Sequence, residues 1–145
     1  MRTSIAGRLD RYLLIVVIVH LAVTFVHAAA HAALQILPTG FDLAFILVVI
    51  ILGPPAALVT VRFRRPIGLG LLALLMDASF VYGFYNHFVV TGRDNVAYVA
   101  SEPWTAAFIL TGASLGVLEV LAAGLALVAL RFELRIPSGP AEPLA

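Results

Sequence analysis

Residues 11–37, RYLLIVVIVHLAVTFVHAAAHAALQIL, decide the fold class of this chain. After Arg11 the stretch contains no Asp, Glu, Lys or Arg before the turn Pro38-Thr39-Gly40. A helix of about 20 apolar residues crosses the ~30 Å hydrocarbon core of a bilayer. The stretch shows no alternation of apolar and polar residues, which argues against a membrane β-barrel. It therefore predicts a transmembrane helix.

Three further apolar runs, at about 41–61, 67–90 and 103–130, have a similar length. Backbone polar groups inside lipid must be hydrogen-bonded within their own segment, so each run is expected to be helical. The sequence thus predicts an all-α integral membrane protein, an antiparallel four-helix transmembrane bundle. The predicted organisation is a cytoplasmic N-terminus (1–10), a membrane domain (11–130) and a disordered, proline-rich cytoplasmic tail (131–145).

Composition agrees with this class and excludes others. Of the 145 residues 62% are hydrophobic and 12% charged, and the mean hydropathy is +1.06, so apolar surface is left over to contact the lipid bilayer. A net charge of +1 without a basic stripe argues against a nucleic-acid partner. The absence of cysteine excludes disulfides and thiolate chemistry. No sequence motif identifies an enzyme, and a homo-oligomer or a larger membrane complex stays open.

The arginines are distributed unevenly between the two predicted sides of the membrane. Eight lie on the side of the two termini and one on the other side. The eight are Arg2, Arg8, Arg11, Arg62, Arg64, Arg65, Arg131 and Arg135, and the ninth is Arg93. The positive-inside rule then predicts a multi-pass protein of the cell membrane with both termini in the cytoplasm. A rival interpretation treats the basic start and the small residues Ala28–Ala30 as a cleaved secretory signal.

Three histidines mark one face of the first predicted helix. His20, His27 and His31 are spaced by seven and four residues, which places them within roughly 40° of one another around the helix axis. An ionisable side chain inside a membrane span is costly, so such a residue is a candidate for function. The stripe predicts a polar centre inside the bundle.

The outer part of this stripe has the spacing of a metal site. His27 and His31 are four residues apart, and His87 and Asp94 follow near the same end of the third run. These four residues are the predicted ligands of a divalent transition metal, zinc, copper or iron. A haem held by His27 or His31 together with His87 is a less favoured alternative.

A second group of ionisable residues lies deeper. By the helical rise of 1.5 Å per residue, His20, Asp77 and Glu119 share one level near mid-membrane. Gly112, Gly116 and Ala123 share the face of Glu119, so that face is expected to point into the bundle. The three ionisable residues are predicted to relay protons or cations. Similarly placed groups also occur as hydrogen-bonded networks that only fix packing.

Three functions therefore remain open from the sequence. The favoured one is a small membrane protein with an inward-facing His/Asp/Glu site that binds a divalent metal or transports protons or other cations. The second is a structural or accessory membrane protein without chemistry of its own. The third is an electron-transfer subunit that binds haem or quinone.

The motif Gly53-Pro54-Pro55 in the second run is interpreted as a static kink.

Overall fold

A computed structural model of the protein describes residues 2–135, with side chains from residue 7 onward. Four long helices account for most of these residues: α1 (Arg2–Ala33), α2 (Phe41–Phe63), α3 (Arg65–Val89) and α4 (Thr105–Leu134). Residues 2–135 contain no β-strand. All four helices are long and apolar enough to cross a membrane. The predicted all-α class with four helices of membrane-spanning length is confirmed.

The helices extend beyond the apolar runs at two places. α1 begins at Arg2 rather than near residue 11, and α4 continues to Leu134, so part of the predicted tail is helical. Hydropathy delimits only the part of a helix that fits the hydrocarbon layer, whereas the backbone hydrogen bonds continue into its polar ends. α1 ends four residues before the apolar run does, and Gln35 adopts a left-handed backbone with φ 57°. The predicted disorder of residues 136–145 lies outside the described residues.

Two segments within the helices have the wider π-helical geometry. Ile46–Leu52 in α2 ends where Gly53-Pro54-Pro55 begins. Proline supplies no N–H and its ring crowds the preceding turn, so an undisturbed α-helix cannot lead into this pair. The second segment, Tyr85–Val89, ends α3 and contains His87. π-helical turns are rare and often occur at functional sites.

Helix α4 lies between α1 and α3 and packs on both. α2 packs mainly on α3 and reaches α1 through its second half, Gly53–Phe63. The core lies at the end of the bundle away from His27, His31 and His87. It consists of large apolar side chains and of small alanines of α4 that let the helices approach closely. These residues include Leu13, Val17, Leu69, Leu72, Met76, Ala122, Ala126 and Ala129.

An arginine joins three helices at that end of the bundle. The Arg65 guanidinium donates hydrogen bonds from Nε to Glu133 Oε1, at 2.6 Å, and from Nη1 to Asp10. These residues lie near the start of α3, the end of α4 and the first third of α1. The contacts hold these three regions together on one side of the molecule.

Much of the outer surface is apolar. Phe25, Leu74 and Val117 are each more than 60% exposed, and exposed Leu, Ile, Val and Phe side chains occur along all four helices. So many exposed large apolar side chains are unusual for a soluble monomer and typical of surfaces that contact lipid or another protein.

Candidate metal centre

Three histidine side chains meet between α1, α3 and α4. His27 Nε2 lies 3.1 Å from His31 Nε2 and 3.2 Å from His87 Nε2. One ligand atom from each residue lies within 4.8 Å of the other two, which is close enough for a single metal ion. His27 and His87 are buried and His31 is half-buried. The structure thus brings together the three histidines that the sequence predicts as ligands.

The second nitrogen of each ring has a partner of its own. His31 Nδ1 lies 3.0 Å from the Ile36 carbonyl, and His87 Nδ1 lies 2.9 Å from the Asp94 carbonyl. Carbonyl oxygens only accept hydrogen bonds, so both Nδ1 atoms carry the proton. His27 Nδ1 lies 2.8 Å from Thr111 Oγ1, whose own hydroxyl donates to the Ala107 carbonyl at 2.6 Å. His27 Nδ1 is therefore also the donor.

This arrangement fixes what the three Nε2 atoms can do. A neutral imidazole with a proton on Nδ1 has a lone pair on Nε2. The His27 lone pair lies at hydrogen-bond distance from those of His31 and His87, and no proton is available for either contact. Their mutual repulsion is relieved by a cation, either a metal ion or an added proton. Hydrogen bonds from the second ring nitrogen to backbone and side-chain oxygens also orient metal-binding histidines in general.

Asp94 lies beside this cluster. Its Oδ1 is 3.4 Å from His87 Nδ1 and 3.5 Å from His31 Nε2, and it is buried without a hydrogen-bond partner. Burial alone would raise the pKa of the Asp94 carboxyl, but the interaction with His87 and the nearby imidazoles outweighs this effect and holds the pKa below its usual value. A negative charge is thus maintained next to the histidines. Asp94 does not belong to the group of three close ligand atoms.

The loop after α3 holds Asp94 in place through Asn95, a buried residue. Asn95 Nδ2 donates to the Val90 carbonyl at 2.9 Å, and its Oδ1 accepts the Ala97 N–H. The Val96 N–H in turn donates to the His87 carbonyl at 3.0 Å. These bonds fold the loop back over the end of α3.

The walls of the cluster come from α4. The Phe108 ring is 1% exposed and stacks on His27 with ring centroids 5.2 Å apart. A Cβ added to Gly112 would lie 3.3 Å from His27 Cε1, so the absence of a side chain at 112 gives the imidazole its space. The predicted small-residue face of α4 is therefore in contact with the histidine stripe.

The deeper group is brought together only in part. His20 is fully buried and its Nε2 lies 3.3 Å from Glu119 Oε1, while its Nδ1 has no hydrogen-bond partner. Asp77 instead lies on the exposed surface of α3, near Phe45 and Tyr85. The expectation that Asp77 faces the interior is wrong, because the interior face of α3 is formed by Leu72, Met76 and Ser79. Residue number predicts how deep a residue lies along the membrane normal, whereas helical phase decides which side of the helix it faces.

A cavity of about 870 Å³ adjoins both groups. All three clustered histidines, Asp94 and Glu119 line it, and its remaining walls are mostly apolar. Tyr82 and Asp42 also line it, and the Tyr82 hydroxyl donates a hydrogen bond to Asp42 Oδ1 at 2.8 Å. A few polar groups thus face a mostly apolar cavity, and this combination is usual for a small-molecule binding site.

Sequence reasoning missed Thr111, Asn95 and the carbonyl of Ile36. A threonine in an apolar helix carries no distinctive signal, and a backbone carbonyl carries none at all. The phase of Thr111 on α4, one residue before Gly112, could have placed it near the predicted interior face.

The contacts of the histidines bear on the haem alternative. Axial ligands occupy opposite faces of a porphyrin, whereas His27 and His87 touch each other directly and leave no room for a macrocycle between them.

No family model matches the chain, and no curated protein or solved structure is significantly similar to it.

Proposed function

We propose that the protein is a multi-pass integral membrane protein with four antiparallel helices and both termini in the cytoplasm. The length and hydropathy of the helices and the exposed apolar side chains support insertion in a bilayer. The Arg65 contacts with Asp10 and Glu133 support a position of the first part of α1 and the last turn of α4 on the same side of the molecule. Residence in the cell membrane and association into oligomers or larger complexes stay predictions.

We propose further that His27, His31 and His87 bind one divalent transition metal. The convergence of three Nε2 atoms, each on a ring whose Nδ1 donates to a separate oxygen, carries this proposal. Tetrahedral zinc with Zn–N bonds near 2.05 Å separates its nitrogen ligands by about 3.3 Å. The two short Nε2 separations of 3.1 and 3.2 Å are close to that value.

The ligand set favours zinc, copper(II) or iron(II), which imidazole binds well. Three protein ligands leave one tetrahedral position open, as in metal sites that act on a bound molecule rather than only stabilise a fold. Asp94 offsets part of the metal charge. Its Oδ1 lies 3.5 Å from His31 Nε2, so the carboxylate can occupy the fourth position when no other molecule is bound there, which keeps the predicted role of Asp94 within the proposal.

Elemental analysis and isothermal titration of the detergent-purified protein test metal binding. The wild type is expected to bind about one zinc or copper(II) ion per chain, and the variant His27→Ala/His31→Ala is expected to bind none at that site. His20→Asn is the matched control, because it removes a buried histidine outside the cluster. Circular dichroism establishes that each variant remains helical.

Absence of stoichiometric binding by a folded wild type would contradict the proposal, as would unchanged binding in the double variant. The structural or accessory function would then be the better interpretation, because the histidines would only connect helices.

A second candidate function is the relay of protons or cations by His20 and Glu119. The supporting observation is a buried imidazole next to a buried carboxyl, with one ring nitrogen unpaired. In liposomes containing a pH-sensitive dye, Glu119→Gln is expected to slow potential-driven proton uptake. Glu102→Gln, on an exposed loop, is the control. Equal rates in wild type and Glu119→Gln would exclude the relay.

A further inference from the structure

The cavity beside the histidine cluster has an apolar entrance. Val117, Phe84 and Phe88 line the cavity and are 69%, 50% and 46% exposed, so the same side chains form both its wall and the outer surface. A water-soluble substrate would gain nothing from such an entrance. A molecule dissolved in the hydrocarbon layer would meet a continuous apolar surface leading inward.

The inner wall differs from the entrance. It carries the imidazoles of His27, His31 and His87 and the carboxyl groups of Asp94 and Glu119. A ligand with an apolar body and a polar end therefore matches both walls. In the proposed three-histidine site the polar end meets the open coordination position, and an oxygen donor suits all the metals that the imidazoles favour.

We propose that the cavity binds a lipid-soluble molecule whose apolar body lies between α3 and α4 and whose oxygen-bearing end coordinates the metal held by the three histidines. The proposal rests on the proposed metal-binding function and adds the chemical class of the ligand. The volume of about 870 Å³ is within the usual range for small-molecule sites and accommodates a body of several rings or a folded chain.

Two glycines allow the cavity to be filled without disturbing the histidines. A Cβ added to Gly116 would meet Phe80 at an ordinary 3.6 Å, and one added to Gly83 would meet nothing within 4 Å. Both glycines line the cavity. Gly124 is the matched control, because it lies on α4, is exposed, and has nothing within 4 Å of an added Cβ.

The test uses cobalt(II) in place of the native metal, because its visible absorption reports changes in coordination. The probes are acetohydroxamic acid and 2-naphthohydroxamic acid, which share a metal-binding group and differ in the apolar body. In the cobalt-loaded wild type and in Gly124→Leu, the naphthyl probe is expected to bind about tenfold or more tightly than the acetyl probe. In Gly116→Leu and Gly83→Leu the preference is expected to disappear while the cobalt spectrum without probe stays unchanged.

The outcomes separate this proposal from the one it rests on. If the wild type shows no cobalt spectrum that depends on His27 and His31, the metal site itself is wrong and the ligand proposal falls with it. If the spectrum is present but no hydroxamate alters it, metal binding stands and the ligand proposal is overturned. An equal preference for the naphthyl probe in Gly116→Leu, Gly83→Leu and Gly124→Leu also overturns it, because the preference would then arise from the detergent micelle.

Discussion

At the scale of single residues, the hydrogen bond on the far side of each imidazole determines what the near side can do. Thr111 shows this most clearly, since its hydroxyl proton is used by the Ala107 carbonyl and its oxygen must accept from His27. Thr111 thereby fixes the tautomer of a proposed metal ligand that it contacts only through this hydrogen bond. Such partners commonly change metal affinity by 10–100-fold.

Thr111→Val is expected to weaken metal binding by about 10–100-fold with little change in shape, because it removes the acceptor for His27 Nδ1–H. Thr111→Ser should restore most of the affinity. Ser114→Ala is the control, since Ser114 is exposed on the same helix and bonds only to the Leu110 carbonyl. Zinc titration of the four proteins measures the effect. Affinity equal to wild type in Thr111→Val would mean that Thr111 does not orient His27.

Asp94 supplies the negative charge at the cluster, and its lowered pKa keeps that charge in mildly acidic solution. Protons compete with the metal for the imidazole nitrogens, so metal affinity is expected to fall as the pH is lowered. A carboxyl group whose pKa is lowered contributes its negative charge fully at any pH above its ordinary pKa, which is 3.8 for Asp94. It loses that charge only as the pH falls further.

Asp94→Asn should therefore reduce zinc affinity about tenfold. This ratio of the two affinities is expected to stay constant between about pH 5 and 8. Titrations at several pH values measure it. A difference between the two proteins that vanishes at pH 5 would show that Asp94 loses its charge with the histidines.

At the scale of elements, the close approach of α2 and α3 in their hairpin depends on Gly68. Only Arg64 separates the two helices, so their adjoining ends pack at close range. A Cβ at Gly68 would lie 2.2 Å from the Val61 backbone nitrogen, a distance that no side chain can occupy. The backbone at Val61 would have to move, and this movement would disturb the packing of the whole helix pair.

Gly68→Ala is expected to destabilise the protein by about 1–3 kcal/mol, the usual range for overpacking. Gly70→Ala, two residues further on the same helix, meets only the Leu130 side chain at 4.0 Å and should change stability by less than about 0.5 kcal/mol. Thermal unfolding in detergent, followed by circular dichroism, compares the two. Equal unfolding temperatures would mean that the two helices do not meet this closely.

At the scale of the whole molecule, charge and contact point to the same orientation. In the predicted topology eight of the nine arginines lie toward one end, where Arg65 connects α1, α3 and α4. The loop that carries Arg93 and Asp94 lies at the other end, over the histidine cluster. With the proposed orientation, the cluster would lie near the outer surface of the membrane.

Fusions measure this orientation. Alkaline phosphatase joined after Arg135 is expected to be inactive and a fluorescent protein at the same position fluorescent, because both termini are proposed to lie in the cytoplasm. Fusions after Gly92 should give the opposite pattern, since that loop is predicted on the outer side. An active phosphatase after Arg135 would reverse the topology or indicate an unrecognised or cleaved span.

The sequence alone determined the helical class, the number of long helices and the grouping of His27, His31 and His87. These follow from local properties, because hydropathy sets helix number and helical phase places residues four apart on one face. Three features became visible only in the folded protein: Asp77 faces outward, Thr111 and the Ile36 carbonyl orient the rings, and a cavity adjoins them. These depend on how helices are rotated against one another and on where loops return, which arises from packing between residues distant in sequence.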